Sequence, residues 1–259
     1  MNPLVGHKIL LIFSLTFTLL SCNGLFDGVY DRPIENENVT TSGRLYIDAS
    51  DWEEWHYIDF DKISKLSIND SLYNPSSAWE TYSIPTEAID KSGDVHGIYT
   101  YWYDVYGAGI TSYEYREFSQ TLPQPEPENW TIAVHRNNVR TNGCGVSATN
   151  FHNISDLPTD DEFYSNLTYI YDEWNETDVW TIQDKMLLGL IGNQGIYINN
   201  EISKWLKVML PPIPPSFTLN NQVFVFRTVD GLYGALQLEN YQSSTGTKCC
   251  LTINYKYPL

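Results

Sequence analysis

The chain has 259 residues, and its 32 acidic against 15 basic side chains give a formal charge of −17. A surface so short of Lys and Arg repels nucleic acid, whose phosphates need clustered basic groups, and suits solubility outside a membrane. Aromatic residues are abundant (19 Tyr, 8 Trp and 10 Phe), which favours strands and supplies rings for a core or an apolar site.

The N-terminus carries the clearest local pattern. Lys8 precedes residues 9–20, an apolar run interrupted only by Ser and Thr. A run of about a dozen residues is too short for a bilayer-spanning helix, which takes about 20, and it matches the core of a cleaved export signal. Leu19-Leu20-Ser21-Cys22 resembles the lipobox of bacterial lipoproteins. Residues 1–21 are therefore expected to be a signal peptide, with lipid on Cys22 as the first residue of the mature chain. Residues 22–43 are polar, rich in Asn, Gly and Asp, and aperiodic, which reads as a flexible tether. The mature chain of about 240 residues suits one large all-β domain, or two small ones at most.

Alternation and β-branched or aromatic enrichment predict strands at 44–47, 55–60, 97–105, 130–136, 223–228, 234–238 and 251–257. Pro123, Pro125 and Pro127 mark one stiff loop, and Pro211, Pro212, Pro214 and Pro215 a second. Asp230-Gly231 separates two predicted strands, as a tight hairpin turn would. Residues 160–174 read either as a short helix with an acidic N-terminus or as a strand. Gly143-Cys144-Gly145-Val146-Ser147-Ala148 matches a dinucleotide fingerprint in spelling, but no helix pattern follows it, so a glycine turn is expected.

Chemistry-bearing residues are sparse. There is no Walker loop, G-x-S-x-G or H-E-x-x-H, and no nucleophile–base or paired-carboxylate arrangement, so no enzyme is predicted. His56, His96, His135 and His152 are not at zinc-ligand spacing. His56 and His135 read as structural strand histidines, whereas His152, in a Gly/Asn-rich loop, could reach a ligand. Cys144, Cys249 and Cys250 are an odd number, so at least one is unpaired within the chain. A bridge from Cys144 to Cys249 or to Cys250 stays open. Strand parity puts Cys249 inward with Leu251, Ile253 and Tyr255, and Cys250 outward.

Three blocks then stand in a telling order. The first is Ile47-Asp48-Ala49-Ser50 with Trp55-His56-Tyr57-Ile58-Asp59-Phe60. The second is Asn129-Trp130-Thr131-Ile132-Ala133-Val134-His135-Arg136, followed by Val139-Arg140-Thr141-Asn142. The third runs from Pro215-Ser216-Phe217-Thr218-Leu219 through Val223-Phe224-Val225 and Leu236-Gln237-Leu238 to Thr252-Ile253-Asn254-Tyr255. With the lipobox, these blocks resemble the HmuY family of haem-binding lipoproteins of Bacteroidota. Two departures stand out: residues 64–126 are longer than in compact members, and Cys249-Cys250 replaces the usual Gly-aromatic pair.

The resemblance implies an all-β, two-sheet domain with little helix over residues 44–259, with an elaboration at 64–126. It implies a surface lipoprotein of the outer membrane that grips haem in a cleft and hands it to an outer-membrane receptor for iron acquisition. Axial ligands in such proteins are two histidines or methionines. The segments 169–189 and 204–212, where paired histidines would sit, hold none. Met186 and Met209, the only methionines after the signal segment, are then the candidate haem-iron ligands, with Lys185 and Lys207 near enough in sequence to meet the propionates. The residues alone leave a plainer reading open. Met186-Leu187-Leu188 and Val208-Met209-Leu210 are apolar runs in which methionine fills a core. An alternative function is a scaffold of this kind without haem, binding a glycan or serving as an accessory envelope lipoprotein.

Overall fold

The computed structural model describes residues 43–69, 79–85, 97–104, 109–120, 123–175, 178–181, 190–209 and 215–259. The expected signal peptide, Cys22 and nearly all of the tether lie outside the described residues, as do His96, Lys185 and Met186. What is described is mostly strand, in several antiparallel sheets.

The largest sheet joins the two ends of the domain. Strand β1 (Arg44–Asp48) pairs with the last strand, β16 (Lys248–Lys256), which pairs with β15 (Tyr233–Gln242). Next come β14 (Phe224–Arg227) and, at the far edge, β8 (Gly145–Ala148). A four-stranded sheet is built from β3 (Trp79–Ser83), β2 (Glu54–Ile58), β6 (Ile132–His135) and β7 (Asn138–Thr141), in that order. Apolar faces of the two sheets share one core. Leu45, Ile47, Phe224, Phe226, Leu238, Leu251 and Ile253 meet Ile58, Ile132 and Val134 there. Both sheets are also covered on their other faces. Trp55, Tyr57, Trp130 and Ala133 pack with Val179, Ile196 and Ile198, while Val223, Val225 and Ala235 pack under Leu157 and Tyr164. That double covering explains why β6 reads Ile-Ala-Val-His with every position buried.

Three smaller sheets complete the architecture. Strands β4 (Gly97–Asp104) and β5 (Gly109–Gln120), within the expected elaboration, pair with each other and with β10 (Leu190–Gln194). Strand β9 (Glu173–Asn175) pairs with β11 (Ile196–Ile198), and β12 (Leu206–Met209) with β13 (Ser216–Leu219).

Several expectations change. The predicted strand 55–60 ends at Ile58, and Phe60 opens a helix, α1 (Phe60–Asn69). The Asp59 carboxylate accepts the Lys62 amide at 2.9 Å, capping the first turn, while Phe60 and Ile63 enter the core. Residues 160–174 resolve into both alternatives. Asp160 caps a short helix, α2 (Asp161–Ser165), and β9 follows. The Asp230-Gly231 turn joins β14 to β15 with Gly231 at φ +83. Residues 143–148 form a glycine turn into β8 and not a helix. The parity assignment holds for Cys249, which is buried as expected, and fails for Cys250, which is buried too. Cys249 has φ +67 and the β15–β16 register shifts beside it, and both parities of β16 are covered from Cys249 to Ile253. Cys144, Cys249 and Cys250 are three free thiols.

Candidate functional site

The site grows from one turn. Between β6 and β7 the chain reverses through Arg136 and Asn137, with Arg136 in the left-handed region at φ +54. That conformation costs a non-glycine residue about 1 kcal/mol or more, so the surroundings must hold it. Here the Arg136 Nη1 donates to the Ser50 carbonyl at 2.6 Å, and its guanidinium lies 3.9 Å from the centre of the Trp52 ring. Trp52 stacks in turn on Trp180, with ring centres 6.1 Å apart and planes 9° from parallel.

These groups form one side of a half-open cleft of ≈ 510 Å³. Its other side comes from the 3-10 turn Ile202–Trp205 and from β12, which contribute Lys204, Leu206, Lys207 and Val208, with Phe217 of β13 beside them. Among the described residues, Arg136, Lys204 and Lys207 line the cleft against a single carboxylate, Asp178. In a chain with 15 basic residues and a charge of −17, that is a local inversion of sign. Burial pulls the Arg136 pKa down from its usual value, yet a guanidinium stays charged at any physiological pH. Lys204 is ion-paired to Glu201 at 2.6 Å. The arrangement suits a flat apolar molecule with anionic groups at its edge.

The described histidines lie outside the cleft lining. His135 is fully buried, with Nδ1 2.9 Å from the Glu54 carbonyl and Nε2 3.0 Å from the Trp180 carbonyl. Burial pushes its pKa down to about 4, outweighing the two carbonyl contacts that favour the protonated ring, so the ring is neutral at pH 7. His56 is buried beside Thr81 and likewise lowered by burial, and exposed His152 meets the Asn221 side chain at 3.0 Å.

Met209 ends β12 opposite Ser216 and is 42 % exposed, so it does not fill the core. Its neighbours Lys207 and Val208 line the cleft, and Met209 stands just beyond them, outside the lining. Trp52, Trp180, Arg136 and Lys204 were missed by sequence reasoning. One usable signal existed: Arg136-Asn137-Asn138 between two β-branched runs is turn chemistry, with a cation at the tip.

The HmuY protein family matches residues 51–255 of this chain. Its fold is similar to that of a HmuY-like protein from Bacteroides vulgatus, at 28 % identity and a TM-score of 0.57, covering 85 % of this chain and 96 % of that one. The apo form of a HmuY analogue from Tannerella forsythia matches at 19 % identity and a TM-score of 0.52, covering 82 % of this chain and 93 % of that one, a likeness of fold alone. No curated protein matches.

Proposed function

This chain belongs to the HmuY family, and from that premise we propose that it is a haem-binding surface lipoprotein which captures haem in the Trp52–Trp180 cleft and hands it to an outer-membrane uptake system. The observation that carries the reading is the cleft's chemistry: two stacked indoles, apolar side chains of β12 and β13, and three cationic residues in a strongly acidic protein. A porphyrin would lie its flat face on the apolar surfaces, and its two propionates would meet Arg136, Lys204 or Lys207. Half-open walls suit cargo that must leave again. The work is binding and transfer, not catalysis.

For the iron, we propose Met186 and Met209 as axial ligands. Thioether sulfur is a soft, neutral donor that suits ferrous more than ferric iron. The exposure of Met209 beside the cleft-lining part of β12 supports its half of the pair. Lipid on Cys22 would hold the protein at the outer membrane through the 22–43 tether. Cys22→Ala should then release the domain from the membrane fraction without unfolding it; unchanged fractionation would count against the lipobox.

Titration of the purified domain with haem, oxidised and reduced, tests the central claim. A Soret shift saturating at one equivalent, tighter after reduction, is the expected result. A spectrum like that of free haem at every ratio sinks the reading, leaving the scaffold to a glycan or an accessory envelope role.

A further inference from the structure

Four consecutive residues reach three segments that border the cleft. On the first wall, Arg136 donates to the Ser50 carbonyl at 2.6 Å and covers Trp52, two residues on. The second wall is the segment 178–181, which carries Trp180. Three successive carbonyls of that segment face donors from the body of the domain. Asn138 Nδ2 donates to Asp178 O at 2.8 Å, the Gln194 amide donates to Val179 O at 2.9 Å, and His135 Nε2 lies 3.0 Å from Trp180 O. The third wall is the turn leading into β12, where the Trp205 indole N–H donates to the Asn137 carbonyl at 3.0 Å. His135 and Asn138 are buried, so these bonds are shielded from competing water. A neutral His135 has one N–H for two carbonyls, Glu54 and Trp180, so Asn138 is the side chain of the turn that donates to the Trp180 wall in either tautomer.

We propose that the turn His135–Asn138 is the positioning device of the cleft, with Asn138 and Arg136 as positioning residues that hold Trp180 and Trp52 in register for the ligand. The left-handed Arg136 fits this assignment, because it points the guanidinium back across Trp52 while the flanking side chains reach the opposite wall. That the ligand is haem rests on the preceding reading; that the turn orders the walls does not.

Amide hydrogen exchange of the ligand-free domain therefore comes first, with the Gln194 amide reporting the Trp180 wall and the Ile84 amide, which donates to Glu53 O, reporting the Trp52 loop. Asn138→Ala should speed Gln194 exchange by tenfold or more and leave the β15–β16 amides unchanged. Asn138→Asp, of the same shape but with no donor, should do the same. Arg136→Gly, which frees the backbone strain while removing the guanidinium, should speed Ile84 exchange selectively and still fold. Unchanged Gln194 and Ile84 exchange, or a rise shared equally by β15–β16, would overturn the proposal, the second by making the turn a prop of the whole fold. Parent-like Gln194 exchange in Asn138→Asp would overturn it as well. Hemin titration is the second arm. A loss of fivefold or more in affinity for folded Asn138→Ala supports the positioning role, and parent affinity despite a loosened wall overturns it. A parent that ignores hemin removes the haem reading, and the exchange result then decides the turn alone.

Discussion

Two regions of this molecule are held together by opposite means. Around Phe60 the sheets are joined by rings: Phe60 lies 5.4 Å from both Phe226 and Tyr255, and Phe226 stacks on Tyr257 at 5.6 Å. Around Trp180 the walls are joined by side chains that donate to backbone carbonyls of distant segments. Apolar packing is non-directional and grows with buried area, so the first region resists as a block. Hydrogen bonds to carbonyls are directional and contribute about 1 kcal/mol each, so the second can be loosened one bond at a time. Stability and ligand geometry are thereby assigned to different places.

The largest effect that would sharpen this contrast is expected at Phe60. Phe60→Ala should lower unfolding free energy by about 3–5 kcal/mol in urea titration, through lost burial and the cavity left behind, while the folded fraction keeps any hemin affinity. A stability change below about 1 kcal/mol would place the core elsewhere.

Next comes acid. His135 is neutral in the fold and its pKa is depressed to about 4, against 6.5 for the free side chain. Between those values the unfolded chain takes up a proton that the native protein refuses, so stability present above pH 6.5 is lost as pH falls toward 4. The loss reaches about 3 kcal/mol at most, at roughly 1.4 kcal/mol per unit of pKa difference. His56, also lowered by burial, acts in the same direction. His135→Leu should flatten the stability–pH profile across this window; a profile as steep as the parent's would show that His135 is not the group responsible.

Met209→Ala should alter stability by no more than about 0.5 kcal/mol, because the side chain is exposed at the end of β12 and outside the core. Its effect should fall on the spectrum of reduced haem, with low-spin ligation lost, while Leu210→Ala keeps it. Identical spectra for both variants would remove Met209 from the iron. The smallest effect belongs to the exposed Arg44–Glu239 pair at 3.3 Å. Glu239→Gln should move the urea midpoint by less than about 0.5 kcal/mol in free-energy terms.

Much of the fold was legible because it is written locally. The β-branched run of 223–228, the Asp230-Gly231 turn and the closing 251–257 strand each appear within about three residues of their predicted bounds. Helix α1 was hidden because Phe60 continues the apolar run of β2, and the capping Asp59 sits inside the predicted strand. Cys250 was misread because alternation assumes one open face, and both parities of β16 are covered from Cys249 to Ile253. The cleft was hardest to foresee. Trp52, Arg136 and Trp180 lie far apart in the chain and meet through ring contacts anchored by main-chain carbonyls, which every residue possesses, so their pairing leaves no trace in local side-chain pattern. The methionines, in contrast, came from resemblance and elimination, and the exposure of Met209 is a tertiary fact that the apolar run Val208-Met209-Leu210 conceals.

The three buried thiols turn the protein into its own stopwatch. Burial pushes the Cys144 pKa up to about 12 and that of Cys250 up to about 11, and raises Cys249 as well, so the reactive thiolate is scarce in the closed molecule. A maleimide or disulfide reagent in excess therefore reacts in proportion to how often the protein opens and exposes each thiol. Cys144 borders the polar groove beside α1, whereas Cys249 and Cys250 sit by Asp48 and Arg136. Two clocks therefore run in one chain, one timing the α1 end and the other timing the footing of the Arg136 turn.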